Sequence, residues 1–347
     1  MIARSRRTVA VGAGLAVALV LGVLLSAAVG QLSIAPTEVV GAFLEGLGIV
    51  TPWAPAEDVT YQALWQIRFP RVAMSVLVGA ALAVAGAVMQ AIFGNPLAEP
   101  GVVGVSSGAA LGAAVAIVTG AAVGSVASLA LLAFAGGVAA TMLVYLMARA
   151  NGRTEVVTLL LTGIAVNAFA GAGLALMLFT GDSAAREQIV FWQLGSLNGS
   201  RWNEVAVVAV LGTVGIVAAL ALASRYDLLA LGERTAAHLG VRVERLRLVS
   251  ILVVAVLTGA AVAYAGIIAF VGLVVPHLMR MALGPAHRVL LGASALGGAV
   301  LLTYADVAAR TLVSGAELPI GLLTSLVGGP FFFWLLRRAR SRAGGWA

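Results

Sequence analysis

RFPRVAMSVLVGAALAVAGAVMQAIFGNPLAEPGVVGVSSGA, residues 68–109, decides the fold. Two arginines open it, an apolar run covers 72–92, and the turn GNPLAEP at 94–100 separates that run from a second apolar stretch. As a helix, the first run has the length needed to cross about 30 Å of hydrocarbon at about 1.5 Å per residue. Two prolines and a glycine hold the turn out of helical form. The pattern is helix, fixed turn, helix, placed inside a membrane.

Composition agrees along all 347 residues: 61% are hydrophobic and 10% charged, with a mean hydropathy of +1.07. A soluble domain could not cover that much apolar surface with so few charges. Cysteine is absent, so disulfides and thiolate metal sites are excluded. The net charge of +7 is scattered in short clusters between apolar runs, which argues against a nucleic-acid surface. All 21 basic residues are arginine. Without lysine the chain cannot build the phosphate-binding G-x-x-x-x-G-K-[ST] loop, so it does not bind ATP in that way.

Ten spans are predicted, at 9–29, 72–92, 101–119, 125–148, 156–180, 203–223, 248–266, 267–283, 288–308 and 318–336. They form one transmembrane domain over 1–347, with 224–247 as a polar segment between the sixth and seventh spans. The first span exceeds the apolar core of about 7 to 15 residues found in cleaved signal peptides, and is read as a retained anchor. Ten spans put both termini on one side together with most arginines, and by the positive-inside rule that side is cytoplasmic. Arg68, Arg71, Arg186, Arg201 and Arg310 are left outside. Arginines outside are unusual enough to be candidates for a function.

An ion-coupled carrier needs an ionisable residue inside its spans. The acids are placed at span ends or in loops, with Glu99 on the inner side; only Asp306 falls within a span, four residues before Arg310, a spacing that allows a helical ion pair. A membrane-embedded enzyme would require convergent His, Asp or Glu in the spans, and they are missing. An external energy source is therefore expected, with an ion-coupled secondary transporter as the distant alternative.

Such a source must be gripped on the cytoplasmic face. In 224–247, the stretch LLALGERTAAHLGV is predicted to form a short helix with Leu229, Ala236 and Leu239 as apolar contacts and Gly240 as its stop. It suits a partner's groove or the lipid surface. GAALAVAG at 79–86 and GAAVAYAG at 259–266 share one pattern on spans of opposite direction, as an inverted repeat of four-span units requires.

The 68–109 stretch resembles the hallmark region of the FecCD/BtuC-type permeases, the membrane subunits of ABC importers for ferric siderophores, haem and cobalamin. LLALGERTAAHLGV, GIIAFVGLVVPHLMRMALGPAHRVLL, YADVAARTL and ELPIGLLTSLVGGPFFFWLL resemble later family motifs in the family's order. The resemblance implies an all-α permease of about ten transmembrane helices, with an inverted repeat of spans 2–5 and 7–10. It implies a homodimer in the bacterial inner membrane, two separate ATPase subunits below and a periplasmic binding protein above. No cofactor is held permanently, ATP is used by the partner subunit, and the chain itself is not an enzyme.

Residue by residue, the resemblance assigns binding-protein docking to Arg68, Arg71 and Arg310 at an exposed rim. It assigns ATPase coupling to Leu229, Ala230, Leu231, Gly232, Glu233, Ala236, Ala237, His238, Leu239 and Gly240. Asn95 and Leu97 become cytoplasmic gate residues; the opposing loop, 153–158, departs from the hydroxyl-rich pattern of some relatives. His238, His277 and His287 map to the cytoplasmic end or loops, so a haem ligand role is not assigned to them. REQIVFWQLGSLNGSRW, 186–202, resembles the haem branch more than the cobalamin branch, which makes haem the expected cargo.

Overall fold

In hydrocarbon a backbone has no water to bond, so each apolar run must satisfy its own N–H and C=O groups as a helix. The computed structural model describes residues 2–30, 32–122, 126–150, 153–313 and 315–342. Its helices are α1 (Ile2–Ala28), α2 (Pro36–Gly46), α3 (Asp58–Ala63), α4 (Phe69–Phe93), α5 (Val105–Val118), α6 (Val126–Met147), α7 (Val156–Thr180) and α8 (Ser183–Leu194), followed by α9 (Trp202–Ala221), α10 (Ala223–Leu229), α11 (Glu233–His238), α12 (Val243–Ala265), α13 (Val271–Leu283), α14 (His287–Thr311) and α15 (Ile320–Arg342). A π-helical turn, Leu64–Arg68, leads into α4, and a short antiparallel ladder pairs β1 (Arg149–Ala150) with β2 (Arg153–Thr154).

Seven of the described helices are long and apolar enough to cross a membrane, and α5, α13 and α15 are shorter apolar helices. Together they occupy the ten predicted spans. The predictions missed the short helices α2, α3 and α8, and the division of the polar segment into α10 and α11.

The packing is reciprocal. α4, from the first repeat, lies against α13 and α14 of the second, and α12, from the second, lies against α5 and α6 of the first. This is the arrangement an inverted repeat of spans 2–5 and 7–10 produces. With no hydrophobic drive between helices in lipid, close approach depends on small residues. Gly79 and Gly298 supply it: a Cβ on Gly79 would stand 2.2 Å from the Gly298 carbonyl oxygen, and one on Gly298 would stand 2.1 Å from that of Gly79. The repeats also break alike. The short helices α5 and α13 each begin at a left-handed residue, Gly104 with φ 84° and Phe270 with φ 67°.

Candidate functional site

At the end of the bundle where α4 begins, four charged side chains meet. Arg71 donates from Nε to Asp306 Oδ1 at 3.0 Å and from Nη2 to the same oxygen at 2.9 Å, and its Nη1 lies 2.5 Å from Glu317 Oε1. Arg310 reaches Asp306 Oδ2 at 3.2 Å, the spacing that the sequence allows along one helix, and also donates to the Val29 carbonyl at 3.0 Å and to Ser26 Oγ at 2.8 Å. Arg68 turns onto the end of α1: Nη1 donates to the Ala27 carbonyl at 2.5 Å and the Ala28 carbonyl at 2.8 Å, and Nη2 donates to that of Leu32. A cation there complements the negative end of the helix and satisfies carbonyls that lack an intrahelical partner.

These arginines were expected at an exposed rim. In the isolated chain they are internal: Arg68 is 8% exposed and Arg71 9%. Asp306 is fully buried beneath them, so the carboxylate inside the span serves as the counter-charge of the cluster. Glu317, with its side chain one-third exposed, is the member that faces outward.

The opposite end carries the polar segment. Gly232, with φ 101°, interrupts the expected single helix, and Gly240, with φ 87°, ends it as expected. Of the three expected apolar contacts, Leu229 and Ala236 are buried against the chain's own core, whereas Leu239 is 56% exposed and is joined outside by Leu231 at 61%. Glu233, Ala230, Ala237, His238 and the two glycines are exposed, and the buried member of α11 is Ala236. The outward surface thus sets two leucines among Glu233, Arg234 and His238, an amphipathic arrangement fit for a protein groove.

α10 is pinned from below. Asp227 accepts from the backbone and ring nitrogens of His287, both at 2.8 Å, which caps the start of α14 and gives His287 a structural partner. Tyr226 bonds Ser250 at 2.9 Å; burial pushes its phenol up to about 12, with the Ser250 bond opposing the shift.

Sequence reasoning did not find the buried Arg247 beside this segment, which bonds Glu233, Glu244 and the Thr154 carbonyl. The signal was present as the charge-dense run RVERLR, 242–247, at the start of a span.

Asn95 and Leu97 are brought together by a turn in which Asn95 Oδ1 accepts from the Leu97 amide at 2.9 Å. In the loop expected to oppose the gate, Thr154 is buried and spends both amide and hydroxyl on Glu244, and Thr158 donates to Glu155. Beyond the turn the chain climbs back into the bundle. Pro100 lies against Gly272, which also packs on the Leu82 carbonyl midway along α4, and Glu99 lines a chamber of about 140 Å³ with Leu82, Ser106, Thr258 and Phe270. Glu99 therefore lies deeper than the inner loop in which its sequence position had placed it. Asn167 of α7 fixes this re-entrant segment, donating to the Gly101 carbonyl at 3.2 Å while Ser107 donates to Asn167 Oδ1 at 2.5 Å. Among the described residues no cluster of His, Cys, Asp or Glu could hold a metal ion.

Residues 18–338 match the model of the FecCD transport family. The chain belongs to that family. The hemin transport system permease protein HmuU of Yersinia pestis is 42% identical over 86% of this chain and 90% of its own. The cobalamin import system permease protein BtuC of Halobacterium salinarum is 40% identical over 84% and 81%, and the iron(3+)-hydroxamate import system permease protein FhuB of Bacillus subtilis 39% over 81% and 73%. A solved inward-facing ABC transporter described as metal-chelate type superposes with a TM-score of 0.82 at 33% identity, covering 94% of this chain and 98% of that one. This FecCD protein is a multi-pass permease component of an ABC importer.

Proposed function

We propose that this permease carries haem from the periplasm to the cytoplasm. The observation that carries the reading is the 42% identity to the hemin permease over most of both chains. Residues 186–202 support it, forming most of α8 and leaving Val190, Phe191 and Trp202 exposed. A ferric siderophore or cobalamin is the second reading, favoured by relatives at 39% and 40%.

In this reading two copies pair around a central pathway with both termini in the cytoplasm. Two ATPase subunits take the α11 face, hydrolyse the ATP and receive Leu231 and Leu239. A periplasmic binding protein docks over the arginine end, Asn95 and Leu97 close the inner mouth, and the chain holds no permanent cofactor. The buried arginines present a partner with the Arg71–Glu317 edge, so docking there exchanges Glu317 for an incoming carboxylate.

The test is reconstitution of this chain with its ATPase and binding protein in proteoliposomes, challenged in turn with haem, ferric siderophores and cobalamin. Haem-loaded binding protein is expected to stimulate hydrolysis and uptake. Haem is the wrong cargo if it gives neither while another ligand does.

A further inference from the structure

Arg247, on α12, is 2% exposed and reaches two other elements, α11 and β2, as well as a neighbour on its own helix. Its Nη2 lies 2.6 Å from Glu233 Oε1, on the first residue of α11. Its Nη1 donates to the Thr154 carbonyl at 2.5 Å and lies 3.2 Å from Glu244 Oε1. Glu244 in turn accepts from the Thr154 amide at 3.1 Å and its hydroxyl at 2.8 Å. Thr154 ends β2, and α7 begins two residues later at Val156. One guanidinium at the base of α12 therefore joins α11 to the strand that leads into α7.

Stability alone does not account for this residue. Taking a guanidinium out of water carries a desolvation cost that a well-packed apolar side chain of similar volume would avoid. The Arg247 Nε is buried with no partner, so part of that cost is left uncompensated. What the charge supplies is a fixed geometry between elements.

The two sides of the contact differ. The Thr154 and Glu244 side is enclosed, with Thr154 4% exposed. The Glu233 side chain is 58% exposed, so water can replace Arg247 as its partner. α11 is otherwise held by Ala236, its one buried residue, and is bounded by the left-handed Gly232 and Gly240. Its first residue can thus leave and re-form the Arg247 contact without unfolding the helix, and Arg247 keeps Glu244 when it does.

We propose that Arg247 is the positioning residue through which a movement of α11 reaches the start of α7, its bond to Glu233 acting as the exchangeable link. The inference rests on the reading of α11 as the surface that meets the ATPase. In that setting a pull on α11 is transmitted while Glu233 holds Arg247, and Thr154 carries it to the span whose first turn follows.

The test uses the reconstituted assembly with wild type, Glu233→Gln, Arg247→Lys and the double variant. Glu233→Gln changes an exposed side chain and is expected to keep thermal stability, and uptake is read with the ATPase subunit saturating, so that a change in its affinity does not enter the ratio. Uptake per ATP hydrolysed is expected to fall about ten-fold, the size of a typical coupling between sites. The double variant is expected to be no worse than the poorer single variant, as for two members of one link.

Because the chain has no cysteine, spin labels at Ala237→Cys and Val157→Cys can follow both ends of the link. Nucleotide binding should move the labels together in wild type, and the α7 label should stay still in Glu233→Gln. The proposal is overturned if Glu233→Gln assembles normally with unchanged uptake per ATP and unchanged label movement. If Leu231→Ser with Leu239→Ser leaves ATPase affinity intact, the α11 reading itself fails, a separate result from failure of the link. Should Arg247→Lys fold poorly, Glu233→Gln and the label pair still decide.

Discussion

Arg71 grips Asp306 with two nitrogens, at 2.9 and 3.0 Å, although 235 positions separate them in the chain. The carboxylate is fully buried and shared with Arg310. Asp306→Asn would leave the guanidiniums with Glu317 as the one paired carboxylate among the described residues, an uncompensated buried charge that costs about 3 to 5 kcal/mol. Glu317→Gln removes a partly exposed charge and should cost about 1 kcal/mol. Thermal unfolding in detergent checks the order, which would be reversed or absent if the cluster were an ordinary surface network.

Glu317 also gives a direct test of docking. If a partner carboxylate replaces it on Arg71, Glu317→Gln removes a competitor and should tighten binding-protein affinity about five-fold, the equivalent of about 1 kcal/mol. Arg71→Glu should weaken it, with partial rescue by a basic residue on the partner. Unchanged affinity in both would make these arginines internal bolts and nothing more.

The ten spans were legible because a continuous apolar run of bilayer length has few other readings, and α7 occupies 156–180 as read. The short α2, α3 and α8 were not legible, since a window suited to spans averages a helix that lies along the surface. The arginine cluster was half legible. The four-residue spacing gave Arg310 and Asp306, but no local rule gives Arg71 and Asp306. Glu99 was misplaced because its depth depends on a turn that reverses into the bundle, and order along the chain does not encode that return.

Phe270 is the one non-glycine residue with positive φ among those described, and its ring fills the place of a side chain on α15. A Cβ on Gly328 would stand 2.2 Å from Phe270 Cγ. Gly328→Ala should cost about 1 to 3 kcal/mol by overpacking. Phe270→Gly removes both the ring and the left-handed strain, so the double variant should recover part of that loss in a double-mutant cycle of unfolding midpoints. Strict additivity would show that the two do not constrain each other.

Tyr226 supplies a pH signature outside the spans. Burial raises its folded phenol to about 12 from an unfolded value of 10.0. A group with a raised folded pKa contributes stability that is complete below the unfolded value and is lost as pH rises through the folded one. Wild type should therefore lose stability between pH 10 and about 12 more steeply than Tyr226→Phe. At neutral pH that variant should be weaker by about 1 kcal/mol, the worth of the bond to Ser250. Denaturation midpoints at pH 8 and pH 11 are the measurement, and parallel curves would contradict the assignment.

The polar segment separates a docking face from its own foundation. Leu229 and Ala236 pack inward, whereas Leu231 and Leu239 are more than half exposed. Leu229→Ser should destabilise the chain by about 2 kcal/mol through lost burial, whether or not the ATPase is present. Leu231→Ser and Leu239→Ser should leave the unfolding midpoint within about 0.5 kcal/mol, as surface changes do. If the outward leucines enter a groove on the ATPase, each of those two substitutions should weaken its association about ten-fold, the loss of about 1.4 kcal/mol of buried apolar contact. If they rest on lipid instead, ATPase affinity will not change and the permease will partition less firmly at the bilayer surface. Association of labelled ATPase with the permease in nanodiscs distinguishes the two, because lipid and groove are then offered to the same side chains at once.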